Sequence, residues 1–330
     1  MKAFDYHVAT SPADAVAALS GHPGAAFLAG GTNLIDHMKL GVAAPDLLVD
    51  VGRLDLTEVE ASEDGGARIG TNVRNSDLAA HPLIRSRYPM LARALLSGAS
   101  GQLRNAATTG GNLLQRTRCV YFQDVTTPCN KRSPGSGCSA IGGYLRYHAI
   151  LGASTECVAV HPSDMAVAMS ALDADVVVEG ADGPRRIPMT EFHRLPGDAP
   201  DRDTVLDHGE LITAVELPAP PTGAVSEYRK VRDRASYAFA LVSVAAELSV
   251  TGAEITTARI ALGGVAHKPW RARRAEEVLV GAPAEPETFL AAADAELADA
   301  EPLSGNEFKV ELARRTLVAQ LRALTERARR

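Results

Sequence analysis

Hydrophobic and polar positions in the first fifty residues predict a compact βαβ unit. Ser11-Pro12-Ala13-Asp14 supplies an N-cap, a proline at the first helical position and an acidic residue in the first turn, which predicts a helix from Pro12 to about Leu19. The apolar segment Ala25–Leu28 follows as a strand. Leu34–Leu40 has helical character, and Leu47–Val51 is the next strand.

The middle of the chain predicts short strands and capped helices, followed by a long irregular segment. Ala67–Asn72 is expected to be a strand, Ser76-Asp77 to cap a helix, and Pro82–Leu96 to form a second helix that ends at Gly98. Residues 116–154 are rich in Gly, Pro, Ser and Cys and show little periodicity. A segment of this length without its own secondary structure needs a bound ligand or a partner to stay ordered.

Regular patterning returns after residue 160 and continues to the end of the chain. His161-Pro162-Ser163-Asp164 is expected to cap the helix Met165–Leu172, and Pro218-Ala219-Pro220-Pro221 is the best candidate linker. The other predicted elements are the strands Asp175–Glu179, Leu211–Leu217, Ala240–Val250 and Ile255–Leu262, and the helices Arg271–Leu279, Pro286–Leu297 and Glu307–Arg327.

Composition and charge describe an ordinary globular protein. The 330 residues include 34 basic and 40 acidic side chains, a formal charge of −6, and 46% hydrophobic residues. This length predicts about two domains, and the mild acidity gives no electrostatic basis for binding nucleic acid or an anionic membrane. No apolar run reaches the roughly 18 residues of a membrane span, and no signal peptide is recognised. We therefore expect a cytoplasmic protein, or a periplasmic one if a partner subunit carries the export signal.

The four cysteines are the most informative feature of the composition. All of them lie in the 39 residues from Cys119 to Cys157, with nine, eight and eighteen residues between successive cysteines. These spacings fit a zinc site poorly, and two disulfides would suit a small secreted module. Four thiolates also suit a [4Fe-4S] cluster, which needs one sulfur per iron. From the residues alone, an iron-sulfur cluster, zinc, disulfides and unrelated cysteines all remain open.

Two glycine turns have the chemistry of an anion-binding site. In Phe27-Leu28-Ala29-Gly30-Gly31-Thr32-Asn33-Leu34, the two glycines can take positive φ and bring backbone N–H groups close to a phosphate, and Thr32 adds a hydroxyl at the start of a helix. Thr108-Thr109-Gly110-Gly111-Asn112 repeats this chemistry. Neither turn has the spacing of a dinucleotide fingerprint or a P-loop, and one alone would be read as a plain turn. Together they suit a pyrophosphate held from both sides.

These two turns, with Ser163-Asp164 and Tyr228-Arg229-Lys230-Val231-Arg232, resemble the FAD-binding subunits of the xanthine dehydrogenase family of molybdenum hydroxylases over nearly the whole chain. The resemblance implies an α+β fold. A PCMH/vanillyl-alcohol-oxidase-like FAD-binding domain would occupy residues 1–218, in two α/β subdomains at 1–55 and 56–218. A C-terminal α/β domain, an antiparallel sheet with helices, would occupy residues 219–330.

An insert at residues 116–158, which most members of the family lack, holds all four cysteines. It resembles the flavin subunits of bacterial periplasmic-type aldehyde oxidoreductases, most closely over residues 128–138. That resemblance implies that the insert binds a [4Fe-4S] cluster. Gly135 and Gly137 would leave N–H groups free for sulfide, and Lys131 and Arg132 would offset the cluster charge. The implied ligands are Cys119, Cys129, Cys138 and Cys157.

The same resemblance implies roles around FAD. The segment from Phe27 to Leu34 would hold the pyrophosphate and ribityl chain, and the turn at Thr108–Asn112 would close from the other side. Asp164 would accept hydrogen bonds from FAD hydroxyls, Ile212 would pack near the adenine, and Lys230 would stabilise the reduced flavin. The alternatives are an N-cap for Asp164, a core residue for Ile212 and a solvated surface lysine for Lys230.

The resemblance implies an electron-transfer subunit rather than a complete catalyst, and no catalytic residue is assigned. A molybdenum-cofactor large subunit would oxidise an aldehyde or an N-heterocycle, a [2Fe-2S] small subunit would pass electrons to FAD, and an external acceptor would receive them. A flavin subunit of the 4-hydroxybenzoyl-CoA reductase kind, a stand-alone FAD oxidoreductase and a zinc-stapled scaffold are the alternatives. The lone histidines His37, His148, His161 and His193 are expected to be structural or exposed.

Overall fold

The N-terminal part forms the predicted βαβ unit. A computed structural model describes residues 1–329, and in it the first three strands form a parallel sheet in the order β1-β3-β2. The Ser11 hydroxyl accepts the hydrogen bond of the Asp14 amide and Pro12 begins the first helix, as the sequence predicts. The elements are β1 Asp5–Val8, α1 Pro12–Ser20, β2 Ala25–Leu28, α2 Leu34–Leu40 and β3 Leu47–Asp50.

The second sheet is antiparallel and has five strands in the order β4-β5-β8-β6-β7. Helices pack on it around a continuous apolar core that includes Ile69, Leu91 and Met165. The predicted irregular segment lies in the sequence between β5 and β6, so strands of this one sheet precede and follow it. The strands are β4 Val59–Ala61, β5 Ala67–Gly70, β6 Asp175–Gly180, β7 Gly183–Pro188 and β8 Leu211–Leu217. The helices are α3 Asn75–Ala80, α4 Pro82–Arg87, α5 Pro89–Ser97, α6 Gly101–Ala106, α7 Thr109–Leu113, α8 Val120–Gln123, α9 Asp164–Ala171 and α10 Met189–Phe192.

Two helix predictions in this region are wrong in detail. Helix α3 already begins at Asn75, so Ser76-Asp77 lies inside its first turn and caps nothing. The single helix predicted over Pro82–Leu96 is two helices that meet at Tyr88, whose ψ of 53° is not helical. The break has a local cause, because the residue before a proline is disfavoured in the helical region.

The third sheet is antiparallel, in the order β12-β11-β10-β9, and three helices cover it. Its elements are β9 Val225–Val231, β10 Val242–Thr251, β11 Glu254–Gly263, β12 Trp270–Arg271, α11 Arg273–Leu279, α12 Pro286–Leu297 and α13 Phe308–Ala328. Between Met1 and Arg329 no helix is long and apolar enough to span a membrane.

The insert has little regular structure, as predicted, because its only helix is the four-residue α8. It is nevertheless packed on the rest of the chain. Ile150 and Leu151 are buried in the core of the third sheet, and Ala140, Leu145 and Val158 form a small apolar cluster of their own. The insert therefore lies against the C-terminal part.

Candidate functional site

A cavity of about 590 Å3 lies where the glycine turns, the insert and the third sheet meet. This volume is in the range of about 300–1,000 Å3 typical of cofactor and ligand pockets. The lining includes Thr32 and Asn33 of the first turn, Gly111 and Asn112 of the second, Ser163 and Asp164 at the start of α9, Arg118, Cys119 and His148 of the insert, and residues 237–240 after β9. The structure thus brings together Thr32, Asn33, Gly111, Asn112 and Asp164, five of the predicted FAD contacts.

The other predicted contacts lie outside this cavity lining. Residues 25–35 are all partly exposed, neither fully buried nor fully exposed, so the strand and turn present an accessible surface that continues from Thr32. Thr108 and Thr109 are buried. Ile212 is 2% exposed and packs in the core of the second sheet. The predicted roles at FAD stay predictions, both for the five residues of the lining and for Phe27, Leu28, Ala29, Gly30, Gly31, Leu34, Thr108, Thr109, Gly110, Ile212 and Lys230.

The glycines of the turns are needed for two different reasons. Gly31 has a φ of +70°, a conformation that favours glycine. Gly30 does not have positive φ, contrary to the sequence expectation; a Cβ there would lie 2.0 Å from the carbonyl oxygen of Ala106. A Cβ on Gly110 would lie 2.0 Å from Thr71 Oγ1. Gly30 and Gly110 therefore permit close backbone packing, and Gly30 allows the first turn to touch the segment before the second.

The second turn forms the short helix α7, and its polar side chains are partly used within the protein. The Thr108 hydroxyl accepts the amide of Gly111 at 3.2 Å, and the Thr109 hydroxyl donates to the carbonyl of Val73 at 3.1 Å. Asn112 accepts a 2.6 Å hydrogen bond from the Ser163 hydroxyl. This last contact fixes the second turn against the start of α9.

Asp164 and Lys230 pair with each other beside the cavity. Ser163 is the N-cap of α9, so the alternative of an N-cap role for Asp164 is wrong. The Lys230 ammonium donates to the Asp164 carboxylate at 2.7 Å, and the Tyr228 hydroxyl donates to the same carboxylate at 2.5 Å. The two charged side chains are only 4% and 7% exposed, so Lys230 is not a solvated surface lysine. Burial, followed by the charge of Asp164, raises the pKa of Tyr228 well above its usual value.

The four cysteines of the insert line one small pocket, in which Cys129 and Cys138 also pair through a β-bridge. All four are free thiols. Burial raises the pKa values of Cys119 and Cys157 to about 11. Within residues 1–329, no group of three or more His, Cys, Asp or Glu side chains is arranged to hold a single metal ion.

Polar groups around this pocket differ from the sequence expectation. The Gly137 amide is not free, because it donates to Asn130 Oδ1 at 2.7 Å. Lys131 is 2% exposed and is paired with Asp203, so its charge is largely compensated. Although burial works in the opposite direction, Lys131 and Arg116 hold the pKa of Asp203 well below its usual range. Arg132 donates to backbone carbonyls of residues 121, 122 and 127 and so fixes the loop.

Cys119 belongs to the walls of both the cysteine pocket and the large cavity, and Thr117 shares this position. His148 lines the large cavity, and its Nε2 lies 3.2 Å from the Cys119 sulfur. Burial and the neighbouring Lys309 lower the pKa of His148 to about 4. No local signal in the sequence indicates this contact, because His148 and Cys119 are 29 residues apart and share no recognised motif.

The chain is similar to known proteins over nearly its whole length. Residues 2–220 match the family "FAD binding domain in molybdopterin dehydrogenase", and residues 195–324 match "CO dehydrogenase flavoprotein C-terminal domain". The chain is 54% identical to the aldehyde oxidoreductase FAD-binding subunit PaoB of Escherichia coli, over 97% of this chain and 98% of that protein. It is 29% identical to the glyceraldehyde dehydrogenase medium chain of Sulfolobus acidocaldarius, over 84% and 81%.

The fold also matches solved structures. A chain of the reconstituted CO dehydrogenase from Oligotropha carboxidovorans superposes with a TM-score of 0.78 at 25% identity, and the match covers 98% of each chain. The expected fold, a mixed α and β FAD-binding domain followed by a C-terminal domain with an antiparallel sheet, is therefore confirmed.

Proposed function

Because this chain belongs to the FAD-binding subunits of the molybdenum hydroxylase family, we propose that it binds FAD at the large cavity and a [4Fe-4S] cluster on its four cysteines. In this proposal it is the electron-transfer subunit of an aldehyde oxidoreductase. A large subunit with a molybdenum cofactor oxidises the aldehyde, a small [2Fe-2S] subunit passes the electrons to FAD, and an external acceptor receives them. The similarity to an aldehyde oxidoreductase subunit supports the choice of substrate class.

The cavity fits a flavin nucleotide. Its volume is that of a cofactor site. Thr32, Asn33 and Asn112 bring a hydroxyl and two side-chain amides to its wall, with Gly111 beside them. Glycines at positions 30 and 110 keep the two turns close to their neighbours. We propose that the turns hold the pyrophosphate from both sides, that Asp164 accepts hydrogen bonds from FAD hydroxyls, and that Lys230 contributes positive charge to the flavin site.

The donor set of the insert fits an iron-sulfur cluster. Four buried or half-buried cysteine side chains line one pocket, and a cubane cluster takes one thiolate per iron. Each thiolate binds a different iron atom, so the ligands of a cubane lie farther apart than those of a single ion. The proposed ligands are Cys119, Cys129, Cys138 and Cys157.

One observation carries the proposal that the two sites work together: Cys119 lies in the wall of both. When bound, FAD accepts and releases electrons in pairs or singly, and the cluster transfers them singly. A ligand sulfur at the wall of the flavin cavity would place the two redox groups side by side. The residues of this chain would then hold both groups, exclude water and set their potentials.

The small number of cysteines in this chain supports the proposal of partner subunits. Four thiols serve only one four-iron cluster, so [2Fe-2S] clusters would have to come from another chain. We place the FAD-binding domain at 1–218 and the C-terminal domain at 219–330; the two family matches overlap at 195–220. We propose a cytoplasmic location, or a periplasmic one if a partner carries the export signal.

The test compares the isolated chain with the complex that it forms when co-expressed with its partner subunits. We expect an aldehyde to bleach the flavin absorbance of the complex under anaerobic conditions, and to leave that of the isolated, FAD-loaded chain unchanged. Dithionite is added to both samples as a control, to show that the flavin in each of them can be reduced. The proposal would be contradicted if the isolated chain oxidised the aldehyde. It would also be contradicted if, in the complex, dithionite reduced the flavin but the aldehyde did not.

A further inference from the structure

We infer that His148 is a positioning residue for the iron-sulfur cluster: its ring donates a hydrogen bond to the sulfur of Cys119, at the side of the cluster that faces the flavin cavity. This inference rests on the proposed function, because it assumes that Cys119 is a cluster ligand. It assigns to His148 the control of the reduction potential of the cluster.

The contact geometry is that of a hydrogen bond to sulfur. Nε2 of His148 lies 3.2 Å from Cys119 Sγ, and the His148 side chain is buried, with 4% of the residue exposed. The other ring nitrogen, Nδ1, is buried and has no partner among the described residues. A metal-bound cysteine sulfur carries no proton and can only accept, so the proton of this contact must be on Nε2.

The position of the histidine is fixed from the C-terminal part of the chain. Its amide donates to the carbonyl of Leu145 at 2.9 Å. Its carbonyl accepts hydrogen bonds from the Lys309 ammonium at 2.7 Å and from the Asn306 side chain at 3.3 Å. Both donors are buried and lie at the start of α13. Three hydrogen bonds therefore fix the backbone of His148 at a place from which its ring reaches the Cys119 sulfur.

Backbone N–H groups also approach the cysteines, those of Tyr121 and Phe122 at Cys119 and that of Ala159 at Cys157, but two other polar groups of the pocket are already engaged. Lys131 pairs with Asp203, and the Gly137 amide donates to Asn130. Among the side chains of residues 1–329, His148 is the one whose nitrogen reaches a cysteine sulfur. A hydrogen bond to a ligand sulfur stabilises the additional negative charge of the reduced cluster and raises its potential. The His148 ring should therefore make the cluster a better electron acceptor.

The test is an EPR-monitored redox titration of the anaerobically purified complex. We expect His148→Phe, which keeps a ring but removes the donor, to lower the equilibrium constant for one-electron reduction of the cluster about tenfold, or about 59 mV. His148→Gln, which keeps an N–H donor, should restore much of this loss. The matched control is His267→Phe, because His267 is equally buried and its ring contacts the Arg194 carbonyl instead of sulfur. This control should leave the cluster potential unchanged.

Iron and FAD contents of each variant separate this inference from the proposed function. Because the complex also contains the [2Fe-2S] clusters of the small subunit, a wild-type complex in which EPR detects only [2Fe-2S] clusters would contradict the proposed cluster itself. A loaded His148→Phe complex with an unchanged potential would overturn the inference and leave the cluster in place. If the variants fail to load the cluster, the wild-type protein is labelled with 15N-histidine and its reduced cluster is studied by pulsed EPR. A coupling between the cluster spin and a histidine nitrogen supports the contact, and the absence of this coupling overturns the inference.

Discussion

Lys230 and Asp164, 66 residues apart in the sequence, form a buried ion pair with a nitrogen-to-oxygen distance of 2.7 Å at the edge of the large cavity. Lys230 also donates to the carbonyl of Ser97 at 3.1 Å. The pair therefore connects strand β9, the start of α9 and the end of α5. The sequence analysis predicts separate contacts with FAD for these two residues, and the structure shows that they form an ion pair with each other.

Asp164→Asn should destabilise the protein by about 3 kcal/mol, because it leaves the Lys230 charge buried without a counterion. FAD affinity should fall as well, since Asp164 lines the cavity. Urea unfolding of the FAD-free protein measures the first effect. Arg315→Ala is the control, because its ion pair with Glu311 is exposed on α13. A loss no larger than that of this control would contradict a structural role for the buried pair.

Gly30→Ala should weaken FAD binding about tenfold or more. The added Cβ would lie 2.0 Å from the Ala106 carbonyl oxygen, so the backbone must move, and overpacking of this kind costs about 1–3 kcal/mol. Gly101→Ala is the matched control, because a Cβ there meets nothing within 4 Å. A flavin fluorescence titration of both variants checks the prediction. Equal FAD affinities would show that the close packing of the first turn has no part in binding.

The stability of the protein should rise with pH between about 7 and 10 because of Lys309. Burial lowers the pKa of Lys309 from 10.5 to about 7. Between these values the unfolded chain holds a proton that the folded chain lacks, so the free energy of unfolding increases with pH, by up to about 1.4 kcal/mol per pH unit.

Lys309→Met removes the titrating group and should remove this increase. The difference in unfolding free energy between wild type and variant, followed from pH 7 to pH 10, isolates the contribution of Lys309. Parallel pH profiles for the two proteins would contradict a lowered pKa for this lysine.

Cys138→Ser should lower the iron content of the chain and slow electron transfer, while most of the FAD is retained. The reason is that Cys138 lines only the cysteine pocket and is absent from the wall of the large cavity, where we propose that FAD binds. The measurement compares iron content, FAD content and turnover of the complex. Ser133→Ala, an exposed substitution in the same loop, should change none of them. Loss of folding and of FAD together would show that the cluster is a structural clasp instead of a relay.

Local signals predicted most of the elements. Proline at the first turn placed α1 and α12 correctly, and alternating residues placed β8 and the long hairpin of β10 and β11. These features depend on neighbours a few residues away, which the sequence shows directly. The break at Tyr88 was also local, and the proline at position 89 was the overlooked signal.

The contacts that complete the site depend on residues far apart in the chain. Lys309 donates a hydrogen bond to the carbonyl of His148, which lies 161 residues earlier in the chain. Position 30 requires glycine because a Cβ there would collide with the carbonyl oxygen of Ala106. Neither relationship leaves a periodicity or a motif. The candidate cysteines and glycine turns were recognisable from residue types and spacing, whereas the role of His148 required the folded arrangement.

The most direct test of the account is the cofactor content of the anaerobically purified chain, measured as iron, acid-labile sulfide, zinc and FAD together with the absorption spectrum. We predict about four iron atoms, about four sulfides and about one FAD per chain, without stoichiometric zinc. A protein that contains zinc in place of iron, or that contains neither iron nor flavin, would contradict the account.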